Sequence, residues 1–305
     1  MTGSRVRARP SPGDRGTSTT LDVVLFLLLV SAAVGVLAAA APPDDGHDPR
    51  TADRAAELLA TTTAAVDQPT PSAGRRTSDS QPSTVHGTLA ALLARAAIAD
   101  AVSDVDSRAG DGRDDGRAAF AATFAGAVAE RARGSLSSVD ATVNVTASYA
   151  PLPGSEPQGR ATVGPEVPGD VDVAVARIRV PVGNGPAPAE LERVAREEDA
   201  RELARALADA TVATMVPSSR MRWALRDDAT RPVVADRYRR LGRSLSVSTT
   251  GALDAGRVRR ANALLARALA DEYLAAIRTT YDTPTAAAAT ARPRVVVVTV
   301  RTWSS

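Results

Sequence analysis

Side chains able to do chemistry are few and scattered in this chain. Its two histidines, His47 and His86, stand near linker sequence and far apart. There is no cysteine, which removes thiolate nucleophiles, thiolate metal sites and disulfides together. No HExxH, GxSxG, SxxK or Walker-type run occurs, so the usual spacings for zinc, acyl-transfer or phosphate chemistry are missing. The serines have no obvious base, and any metal site would have to be built from carboxylates alone. The acid-rich stretch Asp104 to Gly116 (DVDSRAGDGRDDG) resembles a calcium loop only superficially. Arg108 stands where a fifth-position ligand belongs, and no glutamate closes the set. The expectation is a hydrated acidic loop, no metal, no cofactor and no enzyme activity. Asn144-Val145-Thr146 forms an N-glycosylation sequon, which makes Asn144 a candidate acceptor if the segment lies outside a membrane.

The stretch that decides where such residues sit is Leu21 to Ala41, LDVVLFLLLVSAAVGVLAAAA, apolar apart from Asp22. As a helix it spans roughly 30 Å, about one hydrocarbon core. Arg5, Arg7, Arg9 and Arg15 precede it and Asp44, Asp45 and Asp48 follow. The positive-inside rule then puts the N-terminus in the cytoplasm and everything after Pro42 outside. Nucleic acid is not an expected partner for such an exterior. A rival reading is a cleaved secretory signal, with Ala38 to Ala41 as the small-residue site. The apolar run exceeds the 7–15 residues of a signal core, so a retained anchor is preferred.

The sequence before the run, DRGTSTTLD, pairs a basic residue with Gly16, a short polar stretch and a continuous apolar helix. This resembles the class III signal of archaeal type IV pilins and pilin-like proteins. The wider stretch RGTSTTLDVVLFLLLVSAAVGVL, with an Ala- and Arg-rich exterior, is similar to pilin-like membrane proteins of halophilic archaea, a family of unknown function. The resemblance implies recognition at Arg15, Gly16 and Thr17 by a prepilin peptidase, with cleavage between Gly16 and Thr17. It further implies packing of the helix among other pilin-like subunits, with Asp22 near a neighbour's amino terminus. The stripe Val23, Leu27, Val30, Val34 and Leu37 would supply the assembly contact. Two departures stand out: Thr17 replaces the frequent Gln at the first mature position, and Asp22 falls at the sixth instead of the fifth. Asp22 is also explained without any partner, as an acid in the first turn of a helix.

Beyond the membrane the reading is an α+β exterior of mixed helix and sheet. Its organisation is a basic cytoplasmic leader (1–20), a transmembrane helix (21–41), a helix with a Pro/Ser-rich linker (42–83) and an extracellular domain (84–305) divisible near 185. Helices are expected over about 51–66, 85–102, 117–133, 187–215 and 253–281 from 3.6-residue periodicity, with an Arg-rich helical segment over 218–241 broken near Pro232. Strands are expected at 139–149, at 171–182 with a bulge where the alternation changes phase, at 244–250, and at 294–303 as a central strand. All 37 basic residues are arginine. Pro42 to Pro217 carries 17 arginines against 26 acids, a net of −9, and Ser218 to Ser305 carries 16 against 7, a net of +9. The two segments either present ordinary solvated faces, attract one another, or leave the basic end for an acidic partner or anionic lipid.

The function expected is a membrane-anchored, pilin-like structural or accessory subunit of a surface filament or secretion apparatus, single-pass, with its C-terminal domain outside the cell. A permanently anchored binding or sensing domain is the alternative, and an exported hydrolase a third.

Overall fold

The computed structural model describes residues 49–68, 83–107, 115–183, 187–197, 199–228 and 230–304. They belong to a compact unit, Asp48–Ser305, separate from a unit Met1–His47. The apolar run and leader therefore lie outside the described residues. Among the described residues no helix is long and apolar enough to cross a membrane.

The unit is α+β. Four antiparallel strands form the main sheet: β3 (Thr142–Tyr149), β4 (Gly159–Val163), β5 (Ala174–Pro181) and β6 (Val295–Trp303), in the order β4-β3-β6-β5. The C-terminal strand is interior, as its run of valines requires. Val296, Val298 and Val300 point to the apolar face with Val145, Ala147 and Tyr149 beside them on β3. Burying each valine contributes about 1.5–3 kcal/mol. Because β6 pairs with strands that precede residue 185, chain on both sides of that position shares one sheet.

Helix α1 (Pro49–Thr61) packs on β5 and β6, and α2 (Leu89–Ser107) crosses all four strands. Both cover the apolar face, since Val175, Arg177 and Arg179 on the opposite side of β5 stay exposed. Alanine permits the close approach. At Gly159 an added Cβ would stand 2.1 Å from the Ala97 carbonyl oxygen and 2.4 Å from the Ala101 nitrogen, both backbone atoms of α2. Helix α3 (Asp115–Leu136) follows α2 and packs against it. A small hairpin of β1 (Thr63–Gln68) and β2 (Ser83–Thr88) precedes α2.

Between β5 and β6 the chain is helical: α4 (Pro188–Arg196), α5 (Ala200–Met215), α6 (Ser218–Ala224), α7 (Arg231–Ser244), α8 (Thr250–Asp254), α9 (Val258–Thr280) and α10 (Pro284–Thr290). Helices α5 and α9 run against one another. A buried hydroxyl cluster ties them to the sheet. Tyr149 donates to the Pro293 carbonyl at 3.0 Å, Thr214 donates to the same oxygen at 3.1 Å, and Thr211 and Tyr273 share a bond of 3.2 Å. Burial pushes both phenols well above their ordinary range, so they serve as neutral hydrogen-bonding groups.

Several expectations are corrected. The first exterior helix stops at Thr61 because three successive threonines, β-branched and poor in helices, lead into β1. Residues 83–88 are strand, and helix begins only at Leu89. The acidic loop starts later than expected, because α2 continues through Ser107 and α3 opens at Asp115; residues 108–114 lie outside the described set. The Pro/Gly-rich crossover contains a strand, β4. Strand β5 has no bulge. It pairs one-to-one with β6 from Ala174 opposite Thr302 to Pro181 opposite Val295, and Val175 faces out. The expected helix 187–215 is two helices. Asp199 caps the second by accepting from the Arg201 and Glu202 amides at 2.9 Å each. The Arg-rich segment is broken near Pro232 as expected: α6 ends at Ala224 and α7 starts at Arg231, with Pro232 in its first turn. Residues 245–249 link α7 to α8 with no strand: the chain turns at Leu245 and Ser246 (φ 52°), and Val247 N–H bonds the Gly242 carbonyl.

Candidate functional site

One feature of the unit is an arginine-lined cleft of about 390 Å³, within the size range of small-molecule sites. It opens where α2, α5, α6 and α7 meet the end of β5. Ile98 and Val102 on α2, Val180 on β5, and Met215 and Met221 beside them give it an apolar floor. Arg95 from α2, Arg220 from α6, and Arg237 and Arg240 from α7 bring guanidinium groups to the same space, with Asp236 the only acid among the described lining residues. Four positive charges against one leave a net of three.

Asp236 is already engaged. Its carboxylate accepts from Arg240 Nε at 2.9 Å and from Arg239 Nη2 at 3.0 Å, and Asp236 and Arg240 are both buried. Removing one member of such a buried pair leaves an uncompensated charge. No carboxylate bonds Arg95, Arg220 or Arg237 among the described residues. Burial lowers the pKa of Arg237, and the nearby Arg220 lowers it further; Arg95 shows the same two causes in the same order. A guanidinium does not lose its proton in a protein. Loss of a proton therefore does not relieve the repulsion.

Next to the cleft, Trp223 on α6 is 72% exposed, one helical turn from Arg220. The Arg226 guanidinium lies 5.5 Å from the centre of its ring. A second cavity of about 300 Å³ lies between α5, α7 and α9 and is lined by Leu241, Leu265 and Leu269 with Glu156 and Glu272. Burial raises the pKa of Glu272, and the neighbouring Glu156 raises it further.

Arg15, Gly16, Thr17, Asp22, Val23, Leu27, Val30, Val34 and Leu37 all lie outside the described residues, as does His47. His86 is exposed on β2 opposite Ala65. Asn144 is on β3 and buried. Its Nδ2 donates to the Pro165 carbonyl at 2.8 Å and its Oδ1 accepts from Thr146 at 3.3 Å. The folded domain therefore holds this amide inside its own hydrogen bonds. No group of three or more potential metal ligands occurs among the described residues.

The cleft was missed in the sequence because its arginines come from positions 95, 220, 237 and 240, with no fixed spacing. The only signal was the excess of positive charge after Ser218.

Fold and cleft together define an α+β domain with a cationic, apolar-floored recess. A family match spans residues 21–303, and the chain belongs to that family, the family of unknown function DUF7284. Neither the curated proteins nor the solved structures contain a match to it.

Proposed function

We propose that this protein is a membrane-anchored, pilin-like structural or accessory subunit of an archaeal surface filament or secretion apparatus, with the α+β unit outside the cell. The observation that carries the reading is the 21-residue apolar run Leu21–Ala41, preceded by arginines and followed by aspartates. The family match gives support, since it begins at Leu21 and so joins the apolar run to the exterior unit. Only seven residues separate Ala41 from Pro49, where α1 begins. Packing of α1 on β5 and β6 gives this short connection a firm attachment.

In this mechanism the apolar helix first holds the subunit in the bilayer. After cleavage behind Gly16, the same helix packs against related helices through Val23, Leu27, Val30, Val34 and Leu37. Fractionation of native cells, followed by protease treatment of intact cells, tests the topology. The expected result is protein in the membrane fraction with its C-terminal domain digested from outside. A protease-resistant C-terminal domain in intact cells would reverse the orientation, and protein only in the medium would remove the anchor.

A further inference from the structure

We propose that the arginine-lined cleft binds the anionic head group of a membrane lipid, with part of an acyl or alkyl chain on its apolar floor. Three features of different kinds converge on that ligand. Arg95, Arg220 and Arg237 surround the recess with no carboxylate bonded to any of them among the described residues. Guanidinium groups suit phosphate, which they bind through paired N–H donors. The floor beneath them is made of Ile98, Val102, Met215 and Met221, and methionine adapts to irregular apolar ligands. A free inorganic anion would use the arginines and leave that floor wet.

Trp223 is the third feature. Among the described residues only it and Val175 are large hydrophobic side chains left exposed. It stands on the same short helix as Arg220 and Met221, which line the cleft. Tryptophan favours the head-group level of a bilayer, and arginines beside it gain from the negative surface of anionic lipid. The net of +9 over Ser218–Ser305 gives that region the matching sign. The lipid source rests on the anchored reading above, whereas binding itself is measurable in solution.

The test uses the full-length chain in a neutral sugar detergent at low salt. It is titrated with dihexanoylphosphatidylglycerol, with dihexanoylphosphatidylcholine, and with inorganic phosphate. Melting temperature and tryptophan emission are read. Phosphatidylglycerol is expected to raise the melting temperature and shift the emission to the blue, while the other two at equal concentration do neither. Arg220→Gln and Arg237→Gln are each expected to raise the melting temperature of the ligand-free protein, by relieving repulsion, and to weaken phosphatidylglycerol binding about tenfold. Arg278→Gln, an equal loss of charge on α9, is expected to change neither. If Arg237→Gln fails to fold, the exposed Arg220 carries the test. Equal responses to both lipids, or variants that respond as the parent does, would overturn the proposal. If phosphate alone reproduced the whole response, the site would be one for free anions and the lipid assignment would fall. A chain absent from native membranes would refute anchoring, while the titration would still decide whether the cleft takes an anionic amphiphile.

Discussion

Glu272 shows how an environment sets the cost of a charge. Burial and the neighbouring Glu156 raise its pKa in the folded state above the ordinary 4.5. The folded protein then holds this proton more tightly than the unfolded chain, so stability falls as pH rises from about 4.5 through the raised value. Glu272→Gln is expected to raise the melting temperature at pH 7 and to have little effect at pH 4, as differential scanning fluorimetry across that range would report. Asn144 carries a different prediction. Its buried amide bonds the Pro165 carbonyl, so intact mass of the natively produced protein is expected to lack a glycan at this site. Asn144→Ala is expected to cost about 1 kcal/mol, because it removes the hydrogen bonds that this buried amide makes to Pro165 and Thr146. A glycan found on Asn144 in the folded protein would contradict the described packing of β3. The sequon could be read from the sequence, but its burial could not. It depends on residue 165 folding back over a strand twenty residues earlier.

Among the elements, those with strong internal period were legible and those fixed by partners were not. Leu265, Leu269, Tyr273 and Ile277 follow helical spacing and do form the buried stripe of α9. The valines of β6 announced an interior strand, and that is where they lie. By contrast, β1, β2 and β4 are six, six and five residues long and take their conformation from the strands they pair with. The supposed bulge in β5 arose from counting Val171, Val173 and Val175 as inward. The ladder with β6 overrides that hydrophobic pattern and turns Val175 to solvent. Two variants test the elements directly. Asp199→Ala removes the side-chain cap of α5 and is expected to cost about 1 kcal/mol by denaturant unfolding. Gly159→Ala forces a methyl group into the backbone of α2, where no side chain can give way. It is expected to cost more than the cap variant, at the upper end of about 1–3 kcal/mol for overpacking.

At the scale of the whole molecule, the chain joins a segment suited to a bilayer to a folded unit whose C-terminal third is basic. The proposed membrane segment rests on hydrophobic length and flanking charge, which act locally along the chain. The cleft was not legible, because it is assembled from Arg95, far from the basic region in sequence, with Arg220 and Arg237 within it. Val298 reports on the folded unit as a whole. It is fully buried between Ala147 and Ile178 on the neighbouring strands, and Val298→Ala is expected to cost about 2 kcal/mol. The central claim, however, concerns the apolar run and its processing. The measurement that tests it most directly is the mature N-terminus, by intact mass or terminal-peptide analysis of protein taken from native membranes. A chain starting at Thr17 is the predicted result. A chain starting near Met1 would contradict pilin-like processing, and one starting near Pro42 would contradict the anchor itself.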